Sequence, residues 1–191
     1  KLSGVTNSRS ARPLQTGKLL RWRFPPGAGR AIGVGTMADP ATPEDELAPA
    51  RQQLHALFGF HDFRGRQAEV VGRVLAGHST LAVMPTGAGK SLTYQLPATL
   101  LDGTCVVISP LIALMHDQLR SARANGIRAA TLTSQDADWR DTMDAYRAGA
   151  LDLLYVAPER ASQSGFRDLL SSAQVALFAV DEAHCVSEWG H

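Results

Sequence analysis

Met84-Pro-Thr-Gly-Ala-Gly-Lys-Ser91 is the stretch that decides the fold. It follows an apolar run at 80–84 and opens a helical pattern, which is the strand–loop–helix setting of a phosphate-binding loop. Glycines at 87 and 89 permit positive φ, so consecutive backbone N–H groups can face phosphate oxygens. The usual pattern begins with glycine, and Met84 stands there instead. The stretch predicts a nucleotide site; a plain glycine-containing turn before a helix is the alternative.

The residues of this loop have expected roles in binding ATP and Mg²⁺, the two cofactors that the pattern implies. Lys90 would bind the β- and γ-phosphates, and the Ser91 hydroxyl would ligate Mg²⁺. The N-terminal end of the following helix adds a partial positive charge near the phosphates. The other loop residues expected to contact the nucleotide are Thr86, Gly87, Ala88 and Gly89.

Outward from the loop, apolar runs alternate regularly with helical patterns. Strands are expected at 80–84, 104–109, 128–132, 152–156 and 175–180. Helices are expected at 44–58, 66–76, 90–101, 111–124, 138–148 and 164–172. Strands separated by helices require crossover connections, so the sequence predicts an α/β fold with a doubly wound parallel sheet. Ligands of such sheets bind beyond the carboxyl ends of the strands.

A second acidic site follows the last predicted strand, where residues 175–180 run into Asp181-Glu-Ala-His184. A carboxylate at this strand end can hold Mg²⁺ opposite the phosphate loop, which is the role expected of Asp181. Glu182 is expected to polarise the water that attacks the γ-phosphate. An exposed acid pair at a strand end is the alternative. Together with the loop, the pair predicts an ATPase whose catalytic residues are Lys90, Asp181 and Glu182.

Composition predicts a soluble domain: 45% of the 191 residues are hydrophobic, and no apolar run approaches the length of a membrane span. The two cysteines are Cys105, in a predicted buried strand, and Cys185, beside the predicted site. This usage favours reduced thiols and a cytosolic protein. A bacterial cytoplasm is the expected location, with a nucleus or an organelle as alternatives.

Charge divides the chain. Residues 1–36 hold seven basic and no acidic side chains, which leaves 12 basic and 18 acidic residues in 37–191. We expect 1–36 to be a disordered leader or translated upstream sequence before Met37, with an organellar transit peptide as the alternative. A lead-in helix is expected in 37–53 and an ATP-binding domain in 54–191. The acidic balance of this domain gives no support for nucleic-acid binding, so that function depends on motifs.

Six motifs in order resemble those of the RecQ DNA helicases, a group within superfamily 2, and the likeness covers about 54–191. Phe58-Gly-Phe-His-Asp-Phe-Arg-Gly-Arg-Gln67 resembles the RecQ motif that precedes the phosphate loop. Residues 84–91 match the RecQ form of motif I, with Ala88 where glycine is usual. The segments 109–118, 155–160 and 181–184 resemble motifs Ia, Ib and II, and 185–191 resembles the first half of the aromatic-rich loop.

The resemblance implies further functional residues. It implies that Gln67 and Arg64 contact the nucleotide and that Phe60 stacks on adenine. It also implies contact with DNA, or coupling of DNA contact to ATP hydrolysis, for Ser109, Pro110, Gln118 and Trp189. By this resemblance the chain is the first RecA-like domain of a 3′→5′ helicase that acts on single-stranded and duplex DNA in recombination and repair.

The motif series stops inside the aromatic-rich loop, so we expect a domain that is incomplete at its C-terminus. The second RecA-like domain, with its arginines for the γ-phosphate, would be the missing partner. Because translocation needs two domains that close and open, the 191 residues are expected to bind Mg-ATP without unwinding DNA. Two other functions stay open: an RNA helicase of the Asp-Glu-Ala-His group, and a non-catalytic nucleotide-binding module.

Overall fold

A parallel sheet forms the centre of the computed structural model, which describes residues 46–183. Its four strands are β1 (Thr104–Ile108), β2 (Ala129–Leu132), β3 (Leu153–Val156) and β4 (Val175–Val180). They lie in the order β2-β3-β1-β4, and every neighbouring pair is parallel. The predicted doubly wound parallel α/β fold is therefore confirmed, and each of these strands falls within a predicted one.

Helices occupy the connections, as predicted. Their bounds are α1 (Ala48–Phe58), α2 (Gln67–Leu75), α3 (Leu92–Ala98), α4 (Ile112–Ala124), α5 (Trp139–Arg147), α6 (Pro158–Ala161) and α7 (Phe166–Ser171). Helix α1 is capped by Gly59, which has a φ of 69° and donates its N–H to the His55 carbonyl oxygen at 3.1 Å. The short helix α6 was not predicted.

The sheet is covered on both faces, which explains why every residue of the inner strand β1 is buried. Along β1, Cys105 and Val107 face a cluster that includes Tyr155. The alternate residues Val106 and Ile108 face a second cluster on the other side of the sheet. Cys105 is free and fully buried, and this burial raises the pKa of its thiol. Cys185 lies outside the described residues.

The predicted strand at 80–84 was wrong. Its apolar side chains suit a strand, but Leu81 is 85% exposed and Val83 is 86% exposed. A strand also needs a neighbour for its backbone N–H and C=O groups, and none of the residues in 46–183 pairs with this segment. The edge strand β4 has an exposed apolar end as well, since Val180 is 42% exposed.

No helix within residues 46–183 is both long enough and apolar enough to cross a membrane.

Candidate nucleotide site

The predicted phosphate loop precedes a helix, as expected, although an unpaired segment leads into it. Gly87 and Gly89 have φ of 79° and 73°, in the left-handed region that glycine adopts without strain. The Ala88 N–H donates to the Pro85 carbonyl oxygen at 3.2 Å, which closes the turn. Helix α3 follows from Leu92, so the loop lies at the N-terminal end of a helix.

Gln67, the first residue of α2, forms side-chain hydrogen bonds with the backbone of the phosphate loop. Its Nε2 donates to the carbonyl oxygens of Ala88 at 3.0 Å and Gly89 at 3.2 Å, and its Oε1 accepts the Arg64 N–H at 2.8 Å. A trans peptide directs its N–H opposite to its C=O. The N–H groups of Gly89 and Lys90 therefore point away from Gln67. Gln67, which the resemblance implies contacts the nucleotide, is 4% exposed, and its side-chain amide orients the loop backbone.

Phe60, expected to stack on adenine, and Arg64, expected to contact the nucleotide, form a pair. Phe60 is 42% exposed, and the guanidinium carbon of Arg64 lies 5.3 Å from its ring centroid. A cation over an aromatic face is a favourable electrostatic contact. The arrangement presents a flat, partly exposed surface near the start of α2.

The two residues expected to hold Mg²⁺ share one hydrogen-bond partner. Gln118 on α4 directs its Nε2 to the Ser91 hydroxyl oxygen at 3.2 Å and to Asp181 Oδ2, also at 3.2 Å. The Tyr94 hydroxyl lies 2.9 Å from Gln118 Oε1 and 3.2 Å from Asp181 Oδ2. The fold thus brings Ser91 and Asp181 together although they are far apart in the sequence.

Asp181 is fixed by the sheet itself. Its backbone N–H donates to the Ile108 carbonyl oxygen at 2.8 Å, which continues the pairing of β1 with β4 by one residue. Its side chain also accepts the Glu182 N–H at 3.0 Å through Oδ1, and the residue is 8% exposed. A hydroxyl and a carboxylate are the hard oxygen donors that Mg²⁺ prefers, so Ser91 and Asp181 fit a magnesium ion.

Glu182 has an unusual backbone conformation. Its φ of 48° is positive, and no other non-glycine residue in 46–183 shares this property. Such a conformation costs about 1–3 kcal/mol, and strained residues of this kind cluster at functional sites. The strand end is therefore turned sharply at the residue expected to polarise water.

Tyr94 belongs to the site although the sequence did not single it out. It is 7% exposed, and burial, followed by electrostatic interaction with Tyr155 and with the Asp181 carboxylate, raises the pKa of its phenol far above the ordinary range. The phenol therefore stays protonated and can donate. The available signal was spacing, since Tyr94 lies three residues after Ser91, about one helical turn away.

Tyr94 packs against Tyr155, which has a buried hydrogen bond of its own. Its ring meets that of Tyr155 edge-on at 6.4 Å between centroids. The Tyr155 hydroxyl in turn accepts from Gln95 Nε2 at 2.8 Å. Burial raises the pKa of Tyr155 to about 12. Helix α3 therefore contributes two consecutive polar side chains to a packed interior network.

The residues expected to contact DNA have different surroundings. Ser109 is fully buried, so its hydroxyl is not accessible to a nucleic acid in this conformation, whereas Pro110 is half-buried. Gln118 faces the nucleotide site. Trp189 lies outside the described residues, as does His184.

Comparison with known proteins agrees with this geometry. The family model described as DEAD/DEAH box helicase matches residues 64–191. The ATP-dependent DNA helicase RecQ of Pasteurella multocida is 46% identical over 140 residues, which are 72% of this chain and 22% of the relative. The RecQ-like DNA helicase blm-1 of Caenorhabditis elegans is 45% identical over 147 residues, 72% of this chain and 15% of the relative. The chain thus spans less than a quarter of the length of either relative.

Among solved structures, a hypothetical ATP-dependent RNA helicase from Sulfolobus tokodaii has a similar fold. The TM-score is 0.59 at 20% identity, and the match covers 75% of this chain and 44% of the other. At this identity the likeness supports the fold alone. Because the family model spans about two thirds of the sequence and includes both the phosphate loop and Asp181, the chain belongs to the DEAD/DEAH box helicase family.

Proposed function

We propose that this chain is the ATP-binding domain of a RecQ-type DNA helicase, which couples ATP hydrolysis to 3′→5′ unwinding of DNA in recombination and repair. The observation that carries the proposal is the convergence of Ser91 and Asp181 on one amide beside a phosphate loop. Identity of 46% to a RecQ helicase supports DNA as the nucleic acid. A DNA helicase acts where the cell keeps its DNA, in a bacterial cytoplasm or in a nucleus or organelle.

Hydrolysis would proceed by attack of water on the γ-phosphorus, with cleavage of the bond from phosphorus to the oxygen that leaves on ADP. Lys90 would neutralise the β- and γ-phosphates, and the N–H groups of Gly89 and Lys90 would bind phosphate oxygens. Glu182 would orient the water and accept its proton. Magnesium, held by Ser91 and Asp181, would offset charge on the β- and γ-oxygens.

The remaining contacts follow the motif series. Phe60 would stack on adenine, and Arg64, which packs on the Phe60 ring, would contact the nucleotide. Gln67 would hold the backbone of the phosphate loop in place through its hydrogen bonds. Pro110 and Trp189 would lie on the DNA side, and Ser109 would support that segment from within. Catalysis and movement would need a second RecA-like domain, because an arginine supplied to the γ-phosphate typically contributes ~10³–10⁵ in rate.

The test is the Lys90→Ala variant of the full-length protein that contains this chain. We expect loss of at least about 100-fold in DNA-stimulated ATP hydrolysis, because a transition-state charge contact is removed. The exposed cation of Arg147 lies on α5, outside the contacts that form the site, and Arg147→Ala is the control. Hydrolysis by Lys90→Ala at the wild-type rate would refute the proposal.

The same assay separates the two other functions. Stimulation by RNA and not by DNA would indicate an RNA helicase. Nucleotide binding with no hydrolysis by the wild-type protein would indicate a non-catalytic module. The chain of 191 residues, assayed alone for strand displacement, is expected to show no ATP-dependent unwinding.

A further inference from the structure

Gln118 connects the segment that resembles a DNA-contacting motif with the nucleotide site. It lies on α4 and is the last residue of the 109–118 segment, which resembles a DNA-contacting motif. Its side-chain amide, however, is directed into the nucleotide site. Each polar atom of that amide has a partner there: Oε1 accepts from Tyr94, and Nε2 donates to Ser91 and Asp181.

The two Nε2 contacts have a geometric consequence. Ser91 comes from the phosphate loop and Asp181 from the end of β4, so local chain geometry does not fix the distance between their oxygens. One amide nitrogen 3.2 Å from both oxygens aims them at a common region. Because an amide is neutral, it can do this without the repulsion that a lysine would exert on an approaching cation.

Tyr94 gives this arrangement its direction. The Tyr94 hydroxyl donates to Gln118 Oε1 at 2.9 Å, and this contact orients the amide so that Nε2 faces the two oxygens. A flipped amide would turn Oε1 toward the Asp181 carboxylate, which has no proton to donate, so Asp181 favours the same orientation. The orientation is therefore set by the network that surrounds Gln118.

We propose that Gln118 is a positioning residue for the divalent cation: its amide holds the Ser91 hydroxyl and the Asp181 carboxylate ready for the metal, and it does not contact DNA. This inference rests on the proposed function, since it assigns a role within the same nucleotide site.

The experiment compares Gln118→Met with the wild-type full-length protein. Methionine keeps the length and flexibility of the side chain and removes the amide donor and acceptor. The probe is Mn²⁺, titrated in the presence of ADP and followed by electron paramagnetic resonance. We expect the Kd for Mn²⁺ to rise about 5–10-fold, which corresponds to the loss of roughly one hydrogen bond.

Two further readouts separate positioning from other roles. The affinity for ADP in the presence of a chelator and the affinity for single-stranded DNA should both stay within about twofold of wild type. Gln52→Met, an exposed glutamine on α1, is the matched control and should leave all three constants unchanged. Gln118→Asn keeps the amide but shortens its reach, so it should also weaken Mn²⁺ binding, and it replaces the methionine variant if that one unfolds.

An unchanged Mn²⁺ affinity would overturn the inference. So would a loss of DNA affinity without a loss of Mn²⁺ affinity, which would assign Gln118 to the DNA surface. If wild-type protein bound neither ADP nor Mn²⁺, the proposed function itself would fail, and this result differs from either outcome for Gln118.

Discussion

Gln67 approaches Gly89 so closely that a β-carbon built on Gly89 would lie 2.5 Å from the Gln67 side-chain nitrogen. A real β-carbon does not tolerate that separation, so the glutamine would have to move. Gly87, two residues earlier, has a similar positive φ but nothing within 4 Å of such a β-carbon. The two glycines therefore separate two effects, backbone strain and loss of the Gln67 contact.

We expect Gly89→Ala to weaken ADP binding more than Gly87→Ala. Both variants strain the backbone, at a cost of about 1–2 kcal/mol, but only the first displaces Gln67 from the loop carbonyls. Isothermal titration with ADP gives both affinities. Adding Gln67→Ala should reduce the difference between the two variants, because the displaced group is then absent. Equal affinities for the two glycine variants would show that the Gln67 contact does not matter for binding.

Tyr94→Phe is expected to slow DNA-stimulated ATP hydrolysis about 3–30-fold. The change removes the single hydroxyl proton that lies within reach of Gln118 Oε1 and Asp181 Oδ2, and it leaves the ring in place. Tyr146→Phe is a matched control, because Tyr146 is a fully buried tyrosine whose hydroxyl donates to the Leu170 carbonyl oxygen at 3.2 Å. It should lower the free energy of unfolding by a similar amount without slowing hydrolysis. Wild-type turnover by the Tyr94→Phe protein would show that the Tyr94 hydroxyl does not contribute to hydrolysis.

Asp152→Ala is expected to destabilise the domain by about 1–2 kcal/mol, measured by urea unfolding. Asp152 accepts the Arg128 N–H at 2.9 Å and pairs with its guanidinium at 2.5 Å. The Arg128 side chain is 61% exposed, so solvent screening of the ion pair leaves most of the effect to the backbone hydrogen bond. Asp144→Ala removes a pair with Arg147 that lies wholly on the helix surface, and it should cost less than about 0.5 kcal/mol. Equal losses would contradict this assignment.

Leu154→Ala should lower the free energy of unfolding by about 2–5 kcal/mol. Leu154 is 0% exposed in the cluster beneath α5 and α7, so its truncation leaves a cavity. Leu111 is 53% exposed, and Leu111→Ala should cost below about 1 kcal/mol in the same urea titration. A small loss at Leu154 would mean that the core relaxes around the missing atoms.

The sequence predicted most elements because their signals are local. The strand at 175–180 appears with the predicted bounds, and the helix predicted at 111–124 begins one residue later. The segment 80–84 failed because a strand depends on a partner as well as on its own side chains. The local sequence pattern favours an extended chain there. Burial of Leu81 in a sheet, however, needs a neighbouring strand from another part of the chain.

The candidate site was predicted in part. Ser91 was predicted from the phosphate-loop motif, and Asp181 from its position at the end of a strand. The fold brings the two residues together. The orientation of the Gln118 side chain could not be predicted from the sequence. Helical periodicity shows which residues share a face of the helix, but it does not show which part of the protein that face packs against. Gln67 is a similar case, since its amide could serve either a base or the loop backbone.

Helix α3 has one more consequence for the domain. All seven of its residues, Leu92–Ala98, are buried, so the helix that would receive the phosphates is also an interior part of the fold. A ligand that binds the loop only in the folded state is thermodynamically linked to global unfolding. A ligand at 100 times its Kd should stabilise the native state by about 2.7 kcal/mol. Because protection would begin at an interior helix, it should appear as slower amide hydrogen exchange in the surrounding strands, well away from the loop itself.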